Sequence, residues 1–270
     1  MSFPISFKGR TVFVAGGSSG INLGIARAFS EAGARLSLMS RSLDKVQSAA
    51  QGLAVAGRQA QGFSADVRDP EAVQAALTRA CAAYGPIDVL VSGAAGNFLA
   101  SALDMSPNAF KTVVDIDLLG SFNVVRFAHA HLRQPGACVI QISASQAFTP
   151  TPFQAHVCAA KAGLDMLTQV LALEWGAQGI RINSIVPGPI AETEGLKRLA
   201  PTEATLQAMR QRVPLKRLGR LEDVARLALM LASDWGSFIT GAVIPVDGGL
   251  SLTGPRDFSA AAEASRRSRA

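Results

Sequence analysis

A glycine-rich segment near the N-terminus is the first part of the chain whose residue types and spacing could do chemistry. A predicted strand over 11–16 leads into Gly-Gly-Ser-Ser-Gly-Ile-Asn-Leu-Gly at 16–24, which opens a predicted helix. Glycines let the backbone turn tightly and approach a pyrophosphate, whose charge lies at the helix N-terminus. An ordinary strand-to-helix turn is the alternative. The residues expected to contact the cofactor here are Gly16, Ser18, Ser19, Gly20, Ile21 and Asn22.

The end of the second predicted strand indicates which dinucleotide binds. An acidic residue at Ser40 would bind the ribose 2′-hydroxyl of NAD, and the sequence has none there. Arg41, the next residue, can pair with a 2′-phosphate. We therefore expect NADPH, with an ordinary surface arginine as the alternative reading of Arg41.

Two further segments follow predicted strands and are expected to line the cofactor site. Asp66 and Val67, after the third strand, are placed to meet the adenine edge. Ala94, Ala95 and Gly96, after the fourth strand, leave space where the strand order reverses, which is the usual ligand crevice of such sheets.

The segment after the sixth predicted strand is rich in proline. Pro187, Gly188 and Ile190, with Thr193 just beyond, form a rigid turn whose backbone groups could meet a carboxamide. Residues 188–219 make a long excursion that we expect to be a mobile lid over the site.

Short apolar runs alternate with longer stretches of helical period, which is typical of repeated βα units. The sequence predicts a single α/β domain over 1–253, a Rossmann-type doubly wound parallel sheet of about seven strands, and a C-terminal extension over 254–270. Predicted strands cover 11–16, 35–40, 59–65, 87–92, 137–143, 180–186 and 242–247. Predicted helices cover 21–33, 42–56, 69–84, 106–133, 155–177 and 221–233.

Composition restricts the function classes. The 270 residues carry a net charge of +6 with 49% hydrophobic residues, and the pI is about 9.7. Basic character suits nucleotide cofactors or coenzyme A thioesters, although the last seventeen residues alone contribute part of the charge. The sequence shows no basic stripe interleaved with aromatics, no apolar run long enough to span a bilayer and no room for a signal peptide before the first strand. We expect neither nucleic-acid nor membrane binding.

The three cysteines are Cys81, Cys138 and Cys158. They lack metal-ligand spacing and cannot all pair, which favours a reducing cytoplasm and predicts no metal.

Together these features resemble the short-chain dehydrogenase/reductase family over about residues 8–250. The resemblance depends on the glycine loop, Asp66, Ala94-Ala95-Gly96, Lys161, Pro187-Gly188-Pro189-Ile190 and Val246-Asp247-Gly248-Gly249. It implies a Rossmann-type fold, a nicotinamide cofactor and often a homotetramer.

The chain departs from the family at the positions that usually catalyse carbonyl reduction. The catalytic Ser falls on Ala144 and the catalytic Tyr on Val157, four residues before Lys161. Asp117 stands where relatives carry a structural Asn. Asn22 replaces the third glycine of the loop, and we attribute this to the tolerance of Asn for unusual backbone angles.

This pattern resembles the peroxisomal type of the 2,4-dienoyl-CoA reductases, which lack that Tyr and carry an Asp at this helix position. Further matches are Gly96-Asn97-Phe98-Leu99, Asn108 to Val113, Asp115-Ile116-Asp117 and Thr193-Glu194-Gly195. The resemblance implies NADPH-dependent reduction of an acyl-CoA in unsaturated fatty acid β-oxidation. The C-terminal Ser-Arg-Ala is no peroxisomal address, so a cytoplasmic protein is expected.

Reduction of a conjugated dienoyl thioester explains why the tyrosine is dispensable. Hydride adds at the far end of the diene, charge moves to the thioester oxygen, and a proton is then needed at Cα. The resemblance implies that Asp117 positions the water that delivers it, and that Lys161 binds the nicotinamide ribose and lends positive charge. A structural ion pair between Asp117 and Lys161 is the alternative reading.

Several neighbours have two readings each. Asn97 and Phe98 are expected to frame the acyl chain, although Asn97 could equally be a turn residue. His156 faces about 100° away from Val157 on a helix, which favours a packed or surface histidine over an acid. Lys197 and Arg198 could meet coenzyme A phosphates or form a solvated face.

Two other functions compete with the dienoyl-CoA reductase. One is a short-chain carbonyl or hydroxyl oxidoreductase with a different proton donor, which Ala144 and Val157 oppose. The other is a non-catalytic NADP-binding module, which the retention of Lys161 and the specific change to Asp117 oppose.

Overall fold

A seven-stranded parallel sheet forms the centre of the computed structural model, which describes residues 5–55 and 57–253. The prediction of a doubly wound parallel α/β sheet in one domain is confirmed. The predicted C-terminal extension at 254–270 lies outside the described residues. The strands are β1 (Thr11–Ala15), β2 (Arg35–Ser40), β3 (Ala60–Ser64), β4 (Val89–Ser92), β5 (Cys138–Ile142), β6 (Arg181–Pro187) and β7 (Val243–Val246).

Nine α-helices accompany these strands in the described part of the chain. They are α1 (Gly20–Glu31), α2 (Leu43–Leu53), α3 (Pro70–Tyr84), α4 (Pro107–Val114), α5 (Gly120–Ala128), α6 (Ala155–Trp175), α7 (Glu194–Leu199), α8 (Glu203–Arg212) and α9 (Leu221–Ala232). In these same residues, no helix is both long and apolar enough to cross a membrane.

The strand order β3-β2-β1-β4-β5-β6-β7 positions the site. The chain builds outward from β1 to β3, then returns to place β4 on the other side of β1. Ala15 of β1 pairs with Ser92 of β4, so the loops after these strands diverge from one point at the carboxyl edge. In sheets of this kind the crevice at such a point is where ligands bind.

The strands form because their side chains are buried on both faces. All five residues of β1, all four of β4 and all five of β5 are buried, as expected for apolar runs in a parallel sheet. One apolar core joins the sheet to α1, α2 and α9, and a second joins the opposite face to α3, α5 and α6. The two cores hold the carboxyl edge of the sheet rigid.

The predicted helix over 106–133 differs from a single α-helix. Residues Asp115–Leu119 form a π-helical segment between α4 and α5, and a 3₁₀ turn follows at His129–His131. A π segment inserts an extra residue into a helical turn, and such insertions are often found at functional sites. Asp117 lies in the middle of this one.

The excursion over 188–219 is more ordered than a loop. It contains α7 and α8, and a parallel bridge between Ile190 and Gly219 joins its two ends. The mobility of this segment stays a prediction.

Candidate active site

The glycine loop connects β1 to α1 through two glycines with positive φ. Gly16 and Gly20 have φ angles of +76° and +56°, which favour glycine. A Cβ at Gly16 would lie 2.8 Å from the backbone nitrogen of Ala94, so the loop also packs closely on the segment after β4. The side chain of Ser19 makes no capping bond at the start of α1, and the first turn has no acidic residue. The first-turn N–H groups of α1 can therefore receive an anion.

Asn22 has a different role from the one expected. It lies within α1 and does not have a positive φ, so the explanation from unusual backbone angles is wrong. Its side-chain amide instead donates to the carbonyl of Gly93 at 2.7 Å and to that of Gly16 at 3.3 Å. Asn22 ties the glycine loop to the end of β4, across the strand-order reversal.

The end of β2 leaves Arg41 exposed at the surface beside the glycine loop. Its carbonyl accepts a hydrogen bond from Ser64 at the end of β3, and Ser42 caps α2 by accepting from the N–H of Lys45. The backbone of Arg41 is therefore fixed while its guanidinium faces solvent, in a position open to a phosphate.

Hydrogen bonds from Arg68 hold the side chain of Asp66 in place. The Arg68 guanidinium donates two hydrogen bonds to its carboxylate, at 3.0 and 2.6 Å, and these lower the pKa of Asp66 against the opposing effect of burial. Arg41 lies near enough to lower that pKa further. Val67 is buried, and its carbonyl accepts from Asn123 at 2.9 Å. Contact of Asp66 and Val67 with an adenine stays a prediction.

The segment after β4 leads to Asp117. The N–H of Gly96 donates to Oδ1 of Asp117 at 2.7 Å, across 21 residues of sequence. Asp117 is 1% exposed, and its Oδ2 accepts no hydrogen bond from the described residues. This carboxylate oxygen can accept a hydrogen bond from a water molecule.

Lys161 approaches the same carboxylate from α6. Its Nζ lies 3.3 Å from Oδ2 of Asp117 and donates to the carbonyl of Ile142 at 3.0 Å. Both partners of the ion pair are buried. The ion pair anticipated as an alternative therefore exists. The ion pair also places the positive charge of Lys161 beside Oδ2 of Asp117.

No hydroxyl occupies the two positions that would usually hold a carbonyl oxygen. Val157 is buried one turn before Lys161, and Ala144 is half-buried after β5. Ser143 is buried, and Ser145 approaches the amide oxygen of Gln146 at 3.5 Å. Neither serine takes the place of Ala144.

Asp165 is a buried carboxyl that sequence reasoning missed. It follows Lys161 by one helical turn and accepts from the Ser184 hydroxyl at 2.7 Å. Burial raises the pKa of Asp165, while Ser184, Ser143 and Lys161 oppose that rise. The spacing of four residues from Lys161 is the signal that could have found it.

The segment around Asn97 and Phe98 is clamped from α6. Gln154 is 1% exposed, and its amide donates to Oδ1 of Asn97 at 2.8 Å and to the carbonyl of Phe98 at 2.7 Å. The Phe98 ring packs against that of His156, with ring centroids 4.2 Å apart and the ring planes tilted by 39°. Sequence reasoning missed Gln154 because its partners lie more than fifty residues away.

The turn after β6 reaches the glycine loop. A Cβ at Gly188 would lie 2.5 Å from Cα of Asp247, so only glycine fits there. Ile190 is buried, and Thr193 caps α7 while donating to the Ile190 carbonyl at 2.8 Å. The methyl group of Thr193 is the nearest atom to a Cβ built at Gly20, at 3.9 Å. The segment from Pro187 to Thr193 thus lies close to the glycine loop.

The two basic residues of α7 make different contacts. Lys197 pairs with Glu194 at 2.9 Å on the surface, whereas Arg198 reaches the carbonyl of Asn97 at 3.4 Å. Arg198 therefore connects α7 to the Asn97–Phe98 segment.

The chain is similar to known proteins in both sequence and fold. A family model described as Enoyl-(Acyl carrier protein) reductase matches residues 15–251. The chain belongs to the short-chain dehydrogenase/reductase family. Its recognition as such from the sequence is confirmed. A solved dehydrogenase/reductase from Sinorhizobium meliloti superposes with a TM-score of 0.85 at 32% identity, covering 92% of this chain and 97% of that one.

Among curated members of this family, the chain is similar to proteins named 2,4-dienoyl-CoA reductases. The peroxisomal (3E)-enoyl-CoA-producing enzyme of Pongo abelii is 44% identical, covering 96% of this chain and 90% of that protein. The enzyme of the same name in Rattus norvegicus is 43% identical, covering 94% and 88%. A Bacillus subtilis protein named probable (2E)-enoyl-CoA-producing reductase is 36% identical, covering 89% and 96%. The resemblance to this branch is thereby confirmed.

Proposed function

We propose that this protein is an NADPH-dependent 2,4-dienoyl-CoA reductase whose product is a 3-enoyl-CoA. The observation that carries the proposal is the buried Asp117–Lys161 pair in a site where Val157 and Ala144 replace the usual hydroxyl donors. A site without those hydroxyls is poorly suited to protonating an alkoxide, but it can protonate carbon through a water molecule. The relatives with 40–44% identity carry the same product in their names.

The crevice fits a nicotinamide dinucleotide. The uncapped N–H groups of α1 would hold the pyrophosphate, and the glycine loop leaves the backbone open to it. Arg41 would pair with the 2′-phosphate, and Lys161 would bind the nicotinamide ribose. The bound cofactor supplies a hydride. The other cofactor contacts proposed are Asp66, Val67, Ala94, Ala95, Gly96, Pro187, Gly188, Ile190 and Thr193.

The chain's own residues handle the proton. Once the far end of the diene has accepted a hydride, the electron pair moves through the conjugated system to the thioester oxygen as a dienolate. Asp117 holds a water through Oδ2, while the Gly96 N–H fixes Oδ1 and Lys161 lends positive charge. The water gives its proton to Cα, which leaves the double bond between Cβ and Cγ, and solvent restores the proton.

Asn97 and Phe98 would frame the acyl chain. Hydrogen bonds from Gln154 hold Asn97 and Phe98 in position, so this side of the site is preorganised before the substrate binds. Arg198 reaches this segment from α7. Of the two basic residues of α7, Arg198 is better placed to bind a coenzyme A phosphate, because Lys197 is paired with Glu194.

We also propose a homo-oligomer, a tetramer in keeping with the family. Apolar side chains are exposed on α6, at the end of the π segment and at the start of α5, where a soluble monomer would carry polar residues. Those on α6 repeat at helical spacing, which makes one face. The residues are Leu119, Phe122, Met166, Val170 and Leu173. Cytoplasmic location remains a prediction, supported by three free cysteines in the described residues.

The test is a spectrophotometric assay of the purified protein with NADPH and a 2,4-dienoyl-CoA. We expect loss of both chromophores and identification of the 3-enoyl thioester as product. A dienoyl chromophore left unchanged would reject the function. Turnover of simple ketones would then favour a carbonyl oxidoreductase, and NADPH binding without any turnover would favour a non-catalytic module.

A further inference from the structure

His156 is a buried side chain of the site that the proposed mechanism leaves unused. It is 0% exposed, and neither ring nitrogen makes a hydrogen bond of ordinary geometry with the described residues, although the Phe98 carbonyl lies close enough to act on the ring. Leaving a buried polar group without a partner is costly, so such a group in a ligand site indicates an interaction made with the ligand. The expectation of a packed histidine describes its position but does not account for ring nitrogens that lack a well-formed hydrogen bond.

The surroundings of His156 include the segment proposed to frame the acyl chain. The His156 ring packs against Phe98, and Gln154 holds Phe98 through its carbonyl. The charge of Asp117 acts on the imidazole, which places the ring in the electrostatic field of the catalytic carboxylate. Contact with Phe98 therefore holds the imidazole ring of His156 beside the segment proposed to frame the acyl chain.

The protonation state of His156 suits a hydrogen-bond donor. Burial lowers its pKa below the usual range of histidine, against the charge of Asp117 and the Phe98 carbonyl, which raise it. A neutral imidazole carries one N–H donor and one acceptor. A neutral ring can stabilise a developing oxyanion by donating that N–H without transferring it.

The reaction needs a donor away from the usual tyrosine position. In carbonyl reduction, the carbon that accepts the hydride also bears the oxygen. In a dienoyl thioester, the hydride acceptor and the carbonyl carbon stand at opposite ends of the conjugated system. A donor for the thioester oxygen therefore has to be displaced from Val157, and the side chain one position earlier on α6 is directed about 100° around the helix axis.

We propose that His156 donates a hydrogen bond to the thioester oxygen of the acyl-CoA and stabilises the dienolate. The inference rests on the proposed function and adds the oxyanion donor that this mechanism lacks. Hydride addition places two electrons in the conjugated system, and the N–H of His156 stabilises the resulting oxygen charge until water protonates Cα. No proton leaves the imidazole.

The kinetic test compares His156→Leu with His156→Gln and His156→Asn, whose amides can replace one ring nitrogen each. We expect kcat of the Leu variant to fall about 100- to 1000-fold, as for loss of one oxyanion donor. At least one amide variant should recover a large part of that loss, with KM for NADPH unchanged in all three. A Leu variant with wild-type kcat would overturn the role.

A spectroscopic test separates this role from a structural one. The wild-type protein with NADP⁺ and a 2,4-dienoyl-CoA cannot turn over, and a hydrogen bond to the thioester oxygen shifts the dienoyl absorption to longer wavelength. We expect this shift in the wild type and its loss in His156→Leu with substrate still bound. An unshifted wild-type spectrum in an enzyme that turns over would overturn the role of His156 alone. Absence of wild-type turnover would instead reject the proposed function.

Discussion

Oδ2 of Asp117 lies 3.3 Å from Nζ of Lys161, although the two residues belong to different helices. The other carboxylate oxygen, Oδ1, accepts the N–H of Gly96 from the segment after β4. Asp117 thus joins the strand-order reversal to α6. The π segment around it contains Leu118, which meets a Cβ built at Gly163 of α6 at 2.9 Å, so the two elements pack closely.

Asp117→Asn should lower kcat about 100- to 10,000-fold with little change in KM for NADPH, since the amide keeps the size of the side chain but positions the water poorly. Steady-state kinetics with a 2,4-dienoyl-CoA measure this. Asp115→Asn is the matched control, because Asp115 lies in the same π segment and pairs with Lys111 at the surface. Equal losses in both variants would show that the effect comes from the segment and not from the carboxylate.

Asp117→Ala should also destabilise the fold, because it removes the carboxylate that lies 3.3 Å from the buried charge of Lys161. Breaking a buried ion pair in this way costs about 3–5 kcal/mol of the free energy of unfolding. Denaturant unfolding measures it. The double variant Asp117→Ala/Lys161→Met should recover part of the stability and none of the activity.

Arg41→Ala should weaken NADPH selectively. Loss of a charge-assisted hydrogen bond to the 2′-phosphate costs roughly 1.5–3 kcal/mol, which corresponds to about a 10- to 100-fold rise in KM for NADPH. NADH lacks that phosphate and serves as the internal control. If KM rises equally for both cofactors, Arg41 supports the shape of the site and does not recognise the phosphate.

The sequence predicted the sheet well because buried parallel strands are continuous apolar runs. Every predicted strand overlaps an observed one, with ends that differ by at most two residues. The glycine loop and Lys161 were recognisable for a similar reason, since their roles depend on local spacing. Features that depend on distant partners were not predictable, such as the contact of Asn22 with Gly93 across 71 residues and the clamp made by Gln154.

The π segment escaped prediction for a different physical reason. One extra residue in a helical turn leaves the apolar pattern on either side almost unchanged, so residues 106–133 appeared to be one helix. The extra residue changes the direction of the side chains that follow it. This is why the role of Asp117 could be anticipated only through the family resemblance.

Asp88 predicts an acid-dependent contribution to stability. It is buried at the start of β4. Burial, the largest single effect, raises its pKa, but hydrogen bonds from Arg133, the Thr11 N–H and Arg10 together hold it below the usual range. A lowered pKa stabilises the folded state above the unfolded value of about 3.9, and this contribution is lost as pH falls through the folded value.

Asp88→Asn should therefore unfold more easily than the wild type at pH 7, by roughly 1–3 kcal/mol, and the difference should shrink below about pH 4. Urea unfolding across pH measures this, with the exposed Asp234→Asn as control. A difference that stays constant down to pH 3 would show that the carboxylate charge is not its source.

Leu173→Glu should dissociate the proposed oligomer. Leu173 is 86% exposed at the end of the apolar face on α6, where Met166 and Val170 precede it at helical spacing. A carboxylate there would have to be buried without a partner on assembly, which is strongly unfavourable. Light scattering after size exclusion should show a smaller particle, whereas Leu103→Glu, on a fully exposed leucine away from this face, should leave the mass unchanged. A wild-type protein that is monomeric at micromolar concentration would reject the assembly itself.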